Sequence, residues 1–385
     1  MNRDLKKFIP RVIKFLLPYF FVAGFTVIAF YESGEIFSIE KILNSQIAER
    51  KNLIYGPSYS NIPHYYKYAA VEKINPSVLI LGSSRVLQFR THFFYDSIPF
   101  YTAGGVFRRI NQLRAFLESL PENKLPHTII IEIDPWWFCS NYDNPRNKMD
   151  MDYKNFFFTQ NFEPLNQWHQ FYSDWWKGKI SFSKIFSSQP DTGTQFTGIS
   201  GIMKQQGFRK DGSRSYGTDK EIKKQFTYKI NGAIDSIRAG NGIMAWSDST
   251  IAINNDAVKE LRILLRFCRK HKITVTGFIP PIHSSLQSAM RADERHYQHF
   301  FNLINVLYPV FRDYSFHIYD FTSVSSFGGK DAEMIDGVHG SEKTSLKLYL
   351  QLLRKDIYLN QYSDSTILKE ILVKDKNSYS VFGNN

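Results

Sequence analysis

The stretch SVLILGSSRV, residues 77–86, decides the fold class of this chain. Its first half is a short apolar run of strand-forming residues, which ends at Gly82 just before two serines. Such a run predicts a strand buried on both faces, as in a parallel sheet. Functional residues in parallel sheets gather where the strands end, so Ser83 and Ser84 become candidates for chemistry.

Similar runs recur along the chain and alternate with helical patterns. Counted with the first, the predicted strands are 77–81, 99–103, 128–133, 274–279 and 316–321. Apolar residues with helical spacing predict helices over 107–120, 257–271, 285–307 and 341–354, the last with Ser341 as its N-cap. Strands that alternate with helices predict a three-layer α/β/α domain built on a parallel five-stranded sheet.

A long insertion, residues 135–254, interrupts this alternation and carries all six tryptophans of the chain. They are Trp136, Trp137, Trp168, Trp175, Trp176 and Trp246. Flat aromatic faces stack on sugar rings, which favours a substrate platform, but the same residues could form the insertion's own core. Trp136 and Trp137 follow a strand end directly and are the best placed to bind substrate.

The first 35 residues indicate a membrane anchor. Basic residues at positions 3, 6, 7, 11 and 14 precede the uncharged run FLLPYFFVAGFTVIAFY, residues 15–31. The run is short for a membrane span, and residues 9–13 extend it. Basic residues before a span predict a cytoplasmic N-terminus and an extracytoplasmic remainder. A cleaved signal peptide and a buried core helix are the alternatives, but no clear cleavage site follows and a core helix gives the basic flank no role.

The predicted organisation therefore has four parts. The basic flank and transmembrane anchor occupy 1–35, a membrane-proximal connector 36–75, the α/β domain 76–360, and a polar, loosely attached tail 361–385. Only two cysteines are present, Cys139 and Cys268, which excludes a disulfide-built scaffold. One bridge between them and two buried free thiols both remain open.

The net charge of +12, from 48 basic and 36 acidic residues, suits a negatively charged partner. Anionic lipid, an acidic polymer and nucleic acid all qualify. The chain has neither zinc-finger spacing nor a concentrated basic helix, so we expect no nucleic acid and no metal. It also lacks Gly-x-Gly-x-x-Gly, a complete phosphate loop and a Gly-x-Ser-x-Gly elbow.

Residues that could perform acyl chemistry stand at the predicted strand ends. A serine becomes a nucleophile when a base takes its proton, and that base needs a group that orients it. Asp336 and His339 lie three residues apart in the loop before the last helix and can supply both. We therefore predict Ser84, His339 and Asp336 as the catalytic residues. Each motif alone is common, and it is their order on successive strand ends that favours this interpretation.

That order resembles the SGNH/GDSL superfamily of esterases and acyltransferases. The resemblance is carried by Gly-Ser-Ser at 82–84, the YTAGG segment at 101–105 and IDGVH at 335–339. It implies a flavodoxin-like sheet, no cofactor, and an acyl-enzyme formed on Ser84. The expected oxyanion donors are the backbone N–H groups of Ser84 and of Gly104 or Gly105.

The chain departs from the family pattern in two blocks. The family's third block, Gly-x-Asn-Asp, is replaced by EIDPW at 132–136, and an ionised Asp134 cannot donate a hydrogen bond as the asparagine does. The first block has Ser83 in place of aspartate and is followed by Arg85, which we expect to assist the oxyanion or bind substrate. Membrane-anchored relatives in alginate O-acetylation and D-alanyl transfer share this look. The segment FIPPIH, 278–283, resembles that branch and makes His283 a candidate substrate contact or an ordinary polar loop residue.

The expected function is O-acyl transfer, with acetyl as the expected group, to a cell-surface polysaccharide by a single-pass protein of the inner or plasma membrane. A multi-pass membrane acyltransferase is a possible partner. An esterase or deacetylase of the same substrates, and a non-catalytic binding or assembly protein, are the alternatives.

Overall fold

The computed structural model describes residues 3–48, 52–60, 63–139, 163–188, 193–240, 253–375 and 377–383. The chain divides into two compact units. Unit 1 comprises Met1–Ile62 and Lys154–Lys210, and unit 2 comprises Pro63–Tyr153 and Asp211–Asn385. The predicted insertion is therefore not a single element, because its middle part belongs with the N-terminal region and the rest with the sheet. Trp246 lies outside the described residues.

Within the described residues the elements are numbered in chain order. The helices are α1 (Arg3–Glu32), α2 (Ile39–Ala48), α3 (Pro63–Ile74), α4 (Ile110–Ser119), α5 (Trp168–Trp176), α6 (Phe182–Phe186), α7 (Ile199–Lys204), α8 (Asp219–Arg238), α9 (Asn255–Lys270), α10 (Ser284–Ala292), α11 (Glu294–Arg312), α12 (Glu342–Lys355) and α13 (Ser365–Lys374). The strands are β1 (Leu53–Tyr55), β2 (Val78–Leu81), β3 (Phe100–Thr102), β4 (Thr128–Glu132), β5 (Gln195–Thr197), β6 (Gln206–Phe208), β7 (Arg214–Tyr216), β8 (Thr274–Ile279) and β9 (His317–Asp320).

Unit 2 is built on a five-stranded parallel sheet with the order β3-β2-β4-β8-β9. Numbered along the chain, the five strands run 2-1-3-4-5. Val78 of β2 pairs with Phe100 on one side and Thr128 on the other, which fixes the register at the centre. All five predicted strands are confirmed, and the α/β class with them.

Both faces of this sheet are buried. Val78 and Ile80 pack into one apolar cluster with Leu346 and Leu352 of α12. Leu79 points the other way and is also fully buried. Helices α4 and α9 contact each other, α9 contacts β8, and α11 contacts β9. The continuous apolar runs of the sequence are thus explained by strands that are covered on two sides.

Two predicted helix boundaries have clear outcomes. The single helix predicted over 285–307 is wrong, because α10 and α11 are separated at Asp293. Asp293 leaves the helical conformation (φ −111°, ψ 62°) and its carboxylate lies 2.8 Å from His296 Nδ1. Ser341 is confirmed as the N-cap of α12, since its hydroxyl oxygen accepts from the N–H of Thr344.

The C-terminal tail is folded onto the domain, contrary to the expectation of loose attachment. Leu368 of α13 is buried in the same cluster as the inner face of α12. Beyond α13, the N–H groups of Val381 and Phe382 donate to the Glu342 carboxylate, and Arg90 donates to both Glu342 and the Gly383 carbonyl. A polar composition concealed these specific, buried contacts.

The two cysteines are free and buried, so the alternative of a disulfide is wrong. Burial raises the pKa of the Cys268 thiol to about 12. Cys139 Sγ lies 2.9 Å from His299 Nε2 in the interior of unit 2.

Unit 1 joins the N-terminal helix to a small sheet in which β1 pairs parallel with β5 and antiparallel with β6. Helix α1 contains one stretch, Phe8–Glu32, that is long and apolar enough to cross a membrane, with a mean hydropathy of 2.0. Just beyond it, the buried Glu35 carboxylate accepts from the N–H groups of Ser58, Tyr59 and Ile199. The first part of the predicted connector, residues 36–75, therefore belongs to folded unit 1.

Candidate active site

Ser84 lies in a tight turn that follows β2 directly. Residues Ser84–Val86 form one turn of 3-10 helix, and the Ser83 hydroxyl oxygen accepts from the N–H of Arg85 at 3.3 Å. A Cβ on Gly82 would come within 2.5 Å of a Glu132 carboxylate oxygen, so only glycine fits at the strand end. The turn leaves Ser84 half-buried while its neighbours on both sides are buried.

His339 is in hydrogen-bond contact with this serine, as the sequence predicts. Its Nε2 lies 2.8 Å from Ser84 Oγ, and its Nδ1 lies 2.9 Å and 3.0 Å from the two carboxylate oxygens of Asp336. These two residues are 255 positions apart in the sequence, and the fold brings their side chains into contact. The three side chains thus have the nucleophile–base–carboxylate arrangement of a serine triad.

The charge state of Asp336 determines which imidazole nitrogen holds the proton. Burial acts to raise the pKa of Asp336, but its bonds to the His339 ring and to the N–H groups of Val338 and His339 outweigh burial and lower that pKa to about 2. An ionised carboxylate can only accept, so the proton resides on His339 Nδ1. Nε2 is then free to accept the Ser84 hydroxyl proton.

The loop that carries the acid and base is fixed at several points. The N–H of His283 donates to the Gly337 carbonyl at 2.9 Å, and the N–H of Ile335 donates to the His339 carbonyl at 2.8 Å. A Cβ on Gly337 would lie 2.8 Å from Leu286 of α10, which makes this a close approach of backbone to helix. Both bonds are made by main-chain atoms, so they do not depend on the side chain at position 338.

Arg85 is not the substrate-binding residue that the sequence predicts. Its side chain is buried, and its donors point inward to the Val338 carbonyl (2.9 Å), the Asp134 carboxylate (3.1 Å) and the Pro281 carbonyl. These partners come from the catalytic loop and from the ends of β4 and β8. One guanidinium therefore ties the serine turn to the loop that carries its base, a role suited to the rigid fork of arginine.

A buried pair of carboxyl groups lies beside this guanidinium. Glu132 and Asp134 are both fully buried, and Glu132 accepts from the N–H of Ser83 at 2.7 Å. Burial, reinforced by the adjacent Glu132 carboxylate, raises the pKa of Asp134 well above its usual range, although Arg85 and Ser83 oppose that rise. The Asp134 carboxyl group therefore favours its neutral form more than an exposed aspartate does, and Arg85 is the cation in contact with it.

Asp134 does not supply the hydrogen-bond donor that the resemblance to SGNH proteins would lead one to expect after β4. The Asp134 oxygens face Arg85 and Glu132 in the interior and do not replace the missing donor. The sequence carries a signal for the pair, because two acidic residues at positions i and i+2 share one face at the end of an apolar strand. The raised pKa of Asp134 has no such signal, since it depends on distances between side chains.

The three predicted oxyanion donors differ in whether their N–H groups are already hydrogen-bonded within the protein. Within the described residues, the backbone N–H of Ser84 has no acceptor. The N–H of Gly104 makes one long contact, 3.4 Å to the Thr102 hydroxyl. The N–H of Gly105 is engaged with the carbonyls of Ser83 (2.9 Å) and Gly82 (3.3 Å), so Gly105 is wrong as a donor. Ser84 and Gly104 remain as the donor pair.

The two tryptophans after β4 also have different positions. Trp137 is 3% exposed and belongs to the interior, which contradicts its predicted role as a substrate contact. Trp136 is half-buried, with the Arg85 guanidinium 5.4 Å from its ring centre. It remains a candidate to line the site. Consecutive residues in this short 3-10 turn point in different directions, so only one of them can face the serine.

His283 serves the structure through both its main chain and its side chain. Its ring Nδ1 accepts from the N–H of Ser285 at 3.3 Å and caps α10, while its own N–H holds Gly337. The ring is partly exposed, so His283 stays a candidate substrate contact. Within the described part of the chain, no group of three His, Cys, Asp or Glu residues could hold a metal ion.

Comparison with known proteins adds no assignment. No protein-family model matches the chain, and neither a curated protein nor a solved structure matches it.

Proposed function

We propose that this chain is a membrane-anchored serine acyl-ester enzyme that works through an acyl-enzyme on Ser84. The contact of Ser84 Oγ with His339 Nε2 at 2.8 Å, continued to Asp336 at 2.9 Å, is the observation that carries the proposal. The strand order 2-1-3-4-5, with both faces of the sheet buried, supports a three-layer, flavodoxin-like domain of SGNH type. In that order the serine turn and Asp134 follow neighbouring strands at the point where the order reverses.

In the proposed chemistry His339 acts as base and then as acid in each half-reaction, beside Ser84 as nucleophile and Asp336 as the orienting carboxylate. Ser84 Oγ attacks the carbonyl carbon of an acyl ester while His339 Nε2 takes the hydroxyl proton. The tetrahedral intermediate collapses, the ester C–O bond breaks, and His339 returns the proton to the leaving alcohol. A second hydroxyl group then attacks acyl-Ser84 while His339 takes its proton. The bond between Ser84 Oγ and the acyl carbon breaks, and His339 returns the proton to Ser84. Asp336 stabilises the imidazolium in both steps.

Negative charge on the tetrahedral oxygen would be held by the N–H groups of Ser84 and Gly104. Glycine is required at position 104, because a Cβ there would lie 2.3 Å from a Val86 methyl group. An oxyanion site of two backbone donors lacks the side-chain amide that the family uses. Loss of one donor typically lowers kcat by about 100- to 1,000-fold. We therefore expect slow hydrolysis of simple esters.

Transfer to a cell-surface polysaccharide is the version of this reaction that we favour. Helix α1 would hold the enzyme at the inner or plasma membrane, with the basic flank in the cytoplasm and the site outside. There a multi-pass membrane acyltransferase could deliver activated acyl groups, with acetyl as the expected group. The net charge of +12 would attract an anionic polysaccharide. An esterase or deacetylase would use the same triad with water as the acceptor.

The deciding experiment compares the acyl content of surface polysaccharide in cells that carry the wild-type chain or Ser84→Ala. Ser325→Ala, which changes an exposed serine outside the triad, is the matched control. Transfer predicts that acylation falls with Ser84→Ala only, whereas a deacetylase predicts that it rises. Unchanged acylation with stable expression would favour a non-catalytic binding or assembly protein.

A further inference from the structure

Unit 1 packs two short helices against the last turns of α1. The Tyr172 hydroxyl of α5 donates to the Val22 carbonyl at 3.2 Å and lies 3.0 Å from the Thr26 hydroxyl. The ring of Phe25 meets that of Phe182 in α6 edge to face, with centroids 4.9 Å apart. Farther along α1, Phe30 is fully buried against Phe171. The position of α5 and α6 is therefore fixed relative to the end of the candidate span.

Simple geometry places these contacts at the edge of a bilayer. A helix rises about 1.5 Å per residue, and the hydrocarbon core is about 30 Å thick. Counted from Phe8, Val22 lies roughly 21 Å and Phe30 roughly 33 Å along α1. If α1 crosses the membrane, its contacts with α5 and α6 therefore straddle the outer boundary between acyl chains and headgroups.

The side chains that α5 and α6 expose are of types found at the boundary between acyl chains and headgroups. Trp168 is 48% exposed, Trp175 41%, Trp176 85% and Phe186 of α6 45%. Trp168, Tyr172 and Trp175 or Trp176 follow helical spacing and form an aromatic face of α5. Gln167, Gln170 and Asp174 lie on the other side, around a polar cavity of about 570 Å³. Tryptophan is enriched at membrane–water boundaries because its ring is apolar and its N–H is polar.

An apolar groove next to this aromatic face also favours contact with lipid. It has a volume of about 610 Å³ and runs along α1 between Phe15 and Val27, with Leu165 and Trp168 on its other wall. Phe15 lies roughly 10 Å along the span from Phe8, well inside the hydrocarbon region. At that depth acyl chains are the surrounding solvent, so lipid would fill the groove.

We propose that the aromatic face of α5, with Phe186 of α6, is a second membrane contact that lies in the outer leaflet beside the span. Lipid is the partner, with acyl chains in the groove and headgroups at the polar side of α5. Exposed Lys177 and Lys184 on the same segment suit anionic headgroups. This inference rests on the proposed membrane crossing of α1 and does not depend on catalysis by Ser84.

The test uses the full chain in lipid nanodiscs with one nitroxide label at a time. Both native cysteines are buried, so Trp176→Cys can be labelled selectively, with Trp168→Cys as a second site in case the first variant does not fold. The ratio of accessibility to oxygen over a water-soluble nickel chelate should be several-fold higher at position 176 than at Gln170→Cys, on the opposite side of α5. Phe20→Cys, in the exposed part of the span, controls for insertion.

Equal ratios at positions 176 and 170, with a membrane-buried label at position 20, would overturn the proposal and leave the anchor intact. A water-exposed label at position 20 would overturn the membrane crossing and this proposal together, without bearing on the triad. A label at position 176 shielded from both reagents would mean that protein covers the face, which also overturns lipid as the partner.

Discussion

Two buried carboxyl groups are connected to the Ser84 turn, and their pKa values are shifted in opposite directions. Asp336 is 5% exposed and Asp134 is not exposed at all, so burial acts to raise both pKa values. Their neighbours decide the outcome. Asp336 receives the His339 ring and two backbone N–H groups, which lower its pKa, whereas Asp134 faces another carboxylate, which raises its pKa further. The fold thus separates a carboxyl group of lowered pKa, beside the His339 ring, from a carboxyl group of raised pKa, beside Arg85.

The largest expected effect comes from removing the charge of the first group. In Asp336→Asn the amide can donate to Nδ1 and stabilise the tautomer with its proton on Nε2, which cannot accept from Ser84. We expect kcat to fall by on the order of 10⁴-fold, measured on an activated acyl ester. Asp134→Asn, which keeps a neutral side chain of the same shape, should lose far less. Similar losses in the two variants would erase the distinction between the two sites.

The second-largest expected effect comes from removing Arg85, the cation beside Glu132 and Asp134. In Arg85→Met the buried Glu132–Asp134 pair is left without the cation that contacts Asp134, and three hydrogen bonds of the guanidinium are lost. We expect the free energy of unfolding of the full chain in detergent, measured with urea, to fall by about 3–5 kcal/mol. The double variant Arg85→Met with Glu132→Gln should recover part of this loss. No recovery would mean that the loss of stability does not come from leaving the carboxyl pair without a cation.

A smaller effect should appear in the dependence of stability on pH. The folded-state pKa of Asp134 is raised, so its contribution is complete below the unfolded pKa of about 4 and is lost as pH rises toward the raised value. Relative to wild type, Asp134→Asn should therefore gain up to about 1.4 kcal/mol per pH unit above pH 4. Urea unfolding of both proteins between pH 4 and 8 measures this slope.

The contribution of Asp336 to stability changes with pH in the opposite direction. The pKa of Asp336 is lowered to about 2, so its contribution is present above the unfolded pKa of about 4 and is lost as pH falls from there toward 2. The Asp336→Asn variant should lose this acid dependence and keep the slope above pH 4. Parallel profiles for wild type and Asp134→Asn above pH 4 would show that Asp134 is ionised in the fold.

The strands and the triad could be predicted because their signals are local. The apolar run before Gly82 and the spacing of Asp336 and His339 are properties of a few adjacent residues. Parallel strand ends meet at one edge of the sheet, so local motifs were enough to predict the contact between Ser84 and His339.

The roles of Arg85 and Trp137 could not be predicted, because they depend on which way a side chain turns. An arginine after a nucleophile suggests an anion contact, but here three acceptors from distant segments draw it inward. The contacts of the C-terminal tail and of α5 could not be predicted for the same reason. Glu342 binds the main chain of Val381, and Tyr172 binds α1 across 150 positions of sequence. No pattern within either segment carries that information.

The central claim, that Ser84 is an activated nucleophile, is tested most directly by labelling the full chain with a serine-reactive fluorophosphonate and locating the adduct by mass spectrometry. We predict one modified peptide, with phosphorus on Ser84, no labelling of Ser84→Ala or His339→Gln, and unchanged labelling of Ser325→Ala. Folded wild-type protein that takes up no label, or an adduct that persists on another serine in Ser84→Ala, would contradict the proposed mechanism.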